Sequence, residues 1–147
     1  MFKNVKRAIV KMFREFLVHH HSSLEYRAKI LTLIVSANGE ICECEKQKLK
    51  EIAYNVYGND DERAELLLDT IYEYQKKILT NNGLDFEHLI HLVEKETKSV
   101  KRFAEKINME HLHMLHKCVD DDSEEDILFQ RNILEFMQTL KDEYGKK

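Results

Sequence analysis

The feature that most constrains this chain is an absence: its 147 residues contain no proline and only four glycines. Average usage is about 5% proline and 7% glycine, and those two residues supply the preset or positive φ angles on which tight turns and hairpins depend. A fold assembled from many short strands is therefore excluded, and an all-helical one is expected. The same scarcity removes the glycine spacing of a P-loop or a dinucleotide-binding turn, so nucleotide chemistry by those routes is excluded as well. With 43% hydrophobic and 34% charged residues, the composition is that of a globular chain, neither disordered nor membrane-spanning. A chain near this length buries roughly 68–70% of its unfolded surface, enough for one real core. No long linker interrupts it, so a single domain over residues 1–147 is expected.

Apolar spacing of three and four residues places the helices. Phe2, Val5, Ile9, Phe13, Phe16 and Leu17 form one stripe, with Lys6, Arg7, Lys11 and Arg14 opposite, so residues 2–17 make a basic amphipathic helix suited to core packing or to peripheral membrane contact. Ser22 and Ser23 cap a second helix, LEYRAKILTLIVSA, apolar nearly all round and expected to be central. A third starts near Cys42, with Glu45 as its capping-box acid, and stops at Gly58. Asn59 or Asp60 opens a fourth, carrying Ala64, Leu67, Leu68, Ile71, Tyr72, Ile78 and Leu79 to a stop at Asn81-Asn82-Gly83. Asp85 caps a fifth, Ser99 begins a sixth through Phe103 and Ile107, Asn108 caps MEHLHMLHKCV, and a last helix follows Asp120-Asp121-Asp122-Ser123. A compact bundle of about seven helices is the expected architecture.

The chain also echoes itself. Sliding it so that Leu31 lies over Leu112 sets Leu33 and Ile34 on Met114 and Leu115, Cys42 and Glu45 on Ser123 and Asp126, and Ile52, Ala53 and Val56 on Ile133, Leu134 and Met137. One slot disagrees, Leu49 on Gln130. In each copy an apolar helix enters a short acidic loop and a capped amphipathic helix leaves it, the pattern of a degenerate internal repeat.

The stretch AKILTLIVSANGEICECEKQKLKEIA resembles the signature segment of TerB-like domains, found in the tellurite-resistance protein TerB and in the central region of the DjlA type of co-chaperone. Gly39, Glu40, Ile41 and Glu45 match the pattern; Asn38 stands where an aspartate is usual, Cys42 where Ser or Thr caps, and Asp120 takes the glycine slot of the second loop. The resemblance implies an all-helical domain of roughly seven helices with internal pseudo-symmetry. It also implies acidic loops that hold metal or a partner, and service in membrane-associated bacterial stress responses. The His-Pro-Asp triplet of a J domain is excluded by the absence of proline.

Candidate sites follow. Hard cations take six to eight oxygen ligands, and Asn38, Glu40, Glu45, Asp120, Asp121, Asp122 and Asp126 supply several if the loops converge. The second loop is not an EF-hand, because Glu125 and Arg131 occupy the glycine and glutamate positions. The same acids also serve as helix caps and macrodipole partners. His88 with His91, and His113 with His116, share helical faces, while His111 does not face His113. No HExxH occurs. If the loops met, Cys42, Cys44, His116 and Cys118 would have the donors of a Cys₃His zinc site. Otherwise three cysteines without framework spacing suit a reducing compartment.

A net charge of −4 and a pI near 6.1 speak against nucleic acid as a partner. No local signature pairs a nucleophile with a base. The sequence is thus read as a non-enzymatic binding or adaptor module of the bacterial cytoplasm, with a protein partner and a divalent cation as the candidate cofactor. The alternatives are a metal-dependent enzyme or metal-binding protein using the His/Cys/Asp clusters, and a peripheral membrane module using residues 2–17.

Overall fold

The computed structural model describes residues 23–36, 41–79, 86–119 and 124–145. The expected helix over residues 2–17, His19 to His21, the Asn81-Asn82-Gly83 stop and the Asp85 cap lie outside them. The described residues are all-helical: α1 (Ser23–Val35), α2 (Glu43–Tyr57), α3 (Asp61–Leu79), α4 (Phe86–Ser99), a 3₁₀ turn (Ala104–Lys106), α5 (Met109–His116) and α6 (Glu124–Tyr144). No helix among them is long and apolar enough to cross a membrane.

α1 is the central helix, as its all-round apolar pattern requires. Every residue in it except Ser23 and Arg27 is buried, and it packs against α3, α4, α5 and α6. Leu33, Ile34 and Val35 lie in one core cluster with Leu49, Ile52, Leu67, Leu89, Leu112 and Leu115.

Local signals set most helix ends. Gly58 closes α2 with φ +55, a left-handed conformation that other residues adopt only with strain, and its N–H donates to the Tyr54 carbonyl at 2.9 Å. Asp60 caps α3, its Oδ1 accepting from Arg63 N–H at 3.2 Å. Asn108 caps α5 by accepting from His111 N–H at 3.2 Å.

Three expectations are corrected. Among the described residues there are six α-helices, because the stretch from Ser99 to Ile107 is not one. After α4 its hydrogen bonds become i to i+3, from Phe103 N–H to Val100 O and from Lys106 N–H to Phe103 O. Phe103 must turn inward to stack on Tyr26, with ring centroids 4.4 Å apart. Ile107 must become extended (ψ 106) so that Asn108 can cap the next helix. α5 ends at His116 rather than running to Val119, and residues 117–119 form turns instead. On α3 the buried face is Ala64, Leu66, Leu67, Thr70, Ile71 and Gln75, which leaves Tyr72 and Leu79 exposed.

Candidate functional site

α2 and α5 run antiparallel and are tied at both ends. At one end Cys44, in the first turn of α2, is disulfide-bonded to Cys118, just after α5, with Cα atoms 5.6 Å apart. At the other, His111 Nε2 lies 3.2 Å from Asn55 Oδ1. The first tie brings the start of α2 and the end of α5 together; the two acidic loops themselves lie outside the described residues.

At this junction Glu45 is buried, with 1% of its surface exposed. Its Oε1 accepts from Cys42 N–H at 3.1 Å, completing the capping box expected there. Its Oε2 is buried without a hydrogen-bond partner. Desolvation raises the Glu45 carboxyl above its ordinary value, the hydrogen bonds from Cys42 oppose that, and the negative charge of Asp126 adds to it. Asp126, half-buried in the first turn of α6, is therefore within electrostatic reach of Glu45. Of the expected ligands these two are among the described residues, with the Asp126 charge within electrostatic reach of Glu45; Asn38, Glu40, Asp120, Asp121 and Asp122 lie outside them.

The Cys₃His arrangement is overturned. Cys44 and Cys118 spend their sulfurs on each other, Cys42 is free and exposed, and His116 turns to a different partner. Among the described residues no group of three or more His, Cys, Asp or Glu side chains can hold a metal. The pairing of Cys44 with Cys118 also corrects the expectation of unpaired thiols; a separation of 74 residues hides it from local spacing.

His116 Nδ1 lies 2.7 Å from Gln130 Oε1, and Gln130 Nε2 donates to the Ile34 carbonyl at 2.9 Å. Because the amide NH₂ faces Ile34, the amide oxygen is the acceptor for His116, so the imidazole carries its proton on Nδ1. Gln130, fully buried, thereby bonds a carbonyl in the last turn of α1. His88, His91 and His113 are exposed.

Sequence reasoning missed a polar seam along α1. Glu25 accepts from the Tyr74 hydroxyl, Lys29 Nζ lies 2.5 Å from Glu96 Oε2, and Ser36 Oγ donates to Gln75 Oε1 at 2.5 Å. Beside them the Tyr26 and Thr97 hydroxyls meet at 2.5 Å, and burial pushes the Tyr26 phenol up to about 12. The signal was present as Glu25, Lys29, Thr32 and Ser36, polar residues at helical spacing inside an otherwise apolar helix. A buried ion pair of this kind is weak evidence for stability, because desolvation of both charges offsets their attraction.

No family model, curated protein or solved structure matches the chain. Nothing in these comparisons identifies a TerB-like family.

Proposed function

We propose that the chain is a non-enzymatic binding module of TerB-like type, serving a bacterial stress-response or membrane-associated assembly, and that the α2–α6 acidic junction is its site. The observation that carries this reading is Glu45: a buried carboxylate with one oxygen unpartnered, under the negative charge of Asp126, is costly unless something positive satisfies it. A divalent cation does so with the fewest added contacts, and the Asn38 amide and the acids Glu40, Asp120, Asp121 and Asp122 are the chain's remaining oxygen donors next to the junction in sequence. A protein partner presenting a basic side chain fits the same chemistry.

Thermal unfolding of chelator-treated protein with added Ca²⁺, Mg²⁺, Mn²⁺ or Zn²⁺ tests it. An ion held only by the folded state adds about 2.7 kcal/mol at a hundredfold excess over its dissociation constant. A shift with one ion that is lost in Glu45→Gln and Asp126→Asn supports the cation reading; no shift with any ion overturns it.

The cytoplasmic address belongs to the same proposal. In that compartment the glutathione pool keeps most thiols reduced, so the Cys44–Cys118 bond weighs against it; thiols at both positions in protein acid-quenched directly from cells would support the cytoplasmic address. Recovery of the Cys44–Cys118 disulfide from such cells would move the chain to an oxidising compartment.

A further inference from the structure

At the far end of the α2–α5 pair, away from the disulfide, lies a cavity of about 100 Å³. Its floor is apolar, made by Ile30, Leu31, Ile52, Val56, Leu67 and Leu112, and its polar lining is Arg27, Lys106, Asn108, His111 and Glu105. We propose that this cavity binds a small monocarboxylate with a short aliphatic body, the carboxylate held by Arg27 and Lys106 and the body laid on the apolar floor.

The charge at the cavity carries the argument. Arg27 rests over the Tyr57 ring, 5.7 Å from its centroid, and its Nη1 donates to the Tyr57 hydroxyl at 3.5 Å. Neither Arg27 nor Lys106 forms an ion pair with any carboxylate among the described residues. Two cations against the single carboxylate of Glu105 leave the lining positive. His111, held by Asn55 and 3.5 Å from Asn108 Nδ2, is pushed down from its ordinary value chiefly by burial, with Glu110 opposing and Arg27 adding to the shift. It is thus a neutral polar neighbour near pH 7, not a third cation.

The floor decides between anions. Phosphate and sulfate are hydrated on every side and gain nothing from six aliphatic side chains, whereas a monocarboxylate offers one charged end and one apolar end. Size limits the body: an apolar cavity of about 150 Å³ holds benzene, so about 100 Å³ admits roughly four or five carbons.

The test is an amide-resolved NMR titration of the full chain with sodium isovalerate, beside isovaleramide and sodium acetate. Saturable shifts centred on Arg27, Asn55, His111 and Leu112 are expected, with a dissociation constant on the order of 1 mM, as six or seven heavy atoms allow. The His111 imidazole should titrate at higher pH in the complex, because a bound anion favours its charged form. Isovaleramide and acetate should each bind about tenfold more weakly, the first for want of charge and the second for want of a body. Arg27→Gln and Lys106→Gln should each weaken isovalerate about tenfold while the rest of the spectrum is retained. Lys106 is half-exposed, so that variant stays informative if the Arg27 variant fails to fold. Equal binding of acid and amide, equal binding of acetate, unchanged affinity in the folded Lys106→Gln protein, or no saturable shift would each overturn the proposal.

Discussion

In sequence α1 and α2 follow the same pattern as α5 and α6, an apolar helix followed by an amphipathic one, yet the two pairs sit differently in the molecule. α1 is buried on nearly every side, whereas α5 buries only Leu112 and Leu115. The acid in the first turn of α2, Glu45, is buried, and its counterpart in α6, Asp126, is half-exposed. Where α2 places Leu49 in the core, α6 places Gln130, and both are fully buried. A shared hydrophobic pattern fixes which face of a helix turns inward. It does not fix what that face meets: Leu49 meets side chains, whereas Gln130 meets a carbonyl of α1 and an imidazole from α5.

The largest test of this comparison removes the link between the two pairs. The Cys44–Cys118 bond closes a loop of 74 residues, so its reduction should lower unfolding stability by about 4 kcal/mol on the chain-entropy model. Urea denaturation with and without a dithiol reductant, against Cys118→Ser as the control, measures it. An unchanged midpoint would mean that the helix pairs hold their positions through packing alone.

Next come equivalent slots in the two apolar helices. Leu33→Ala, at 0% exposure in α1, should cost about 2–5 kcal/mol. Met114→Ala, its half-buried counterpart in α5, should cost about 1 kcal/mol. Equal losses would erase the distinction between a central and a peripheral helix.

Gln130→Leu makes the second pair imitate the first. Leucine fills the slot but strands the Ile34 carbonyl and the His116 Nδ1–H, so a loss of about 1–3 kcal/mol is expected by chemical denaturation. A gain in stability would show that the apolar slot was the better solution and that the polar network contributes nothing to the fold.

These contrasts show what was legible in the sequence. The all-helical class, the centrality of α1, the stop at Gly58 and the caps at Cys42, Asp60 and Asn108 all follow from periodicity and short-range chemistry, which a linear reading captures. The one slot where the echo failed, Gln130, marked a buried polar network, but its partners Ile34 and His116 come from two other helices. The Lys29–Glu96 pair and the Cys44–Cys118 bond join residues 67 and 74 positions apart, and no local spacing encodes such distances. The sixth helix failed for a related reason: Phe103 and Ile107 have helical spacing, but tertiary stacking on Tyr26 and the cap at Asn108 override it. Of the candidate site, Glu45 and Asp126 were named from the sequence only as ligands that would act together if the two acidic loops converged; the Arg27 and Lys106 cavity was not legible, since its lining comes from five separate elements.

The smallest expected effect concerns Glu45 itself, in chelator-treated protein. Its carboxyl is held above its ordinary value in the fold, chiefly because burial disfavours the charge. The folded state then holds the proton more tightly than the unfolded chain. Glu45 therefore contributes most to stability below its unfolded value, and that contribution is lost as pH rises through its folded value. Glu45→Gln keeps an oxygen to accept from Cys42 N–H but has no charge to desolvate. Stability relative to the wild type should consequently move in favour of the glutamine variant as pH rises from about 4.5 to 7. Asp126→Asn should narrow that drift, because the neighbouring negative charge is removed. A cation bound at the junction reverses the sign, since it favours the carboxylate and makes the wild type gain over the variant across the same interval. Denaturation of both proteins across that range, without and then with the ion, therefore separates a strained helix cap from a binding site.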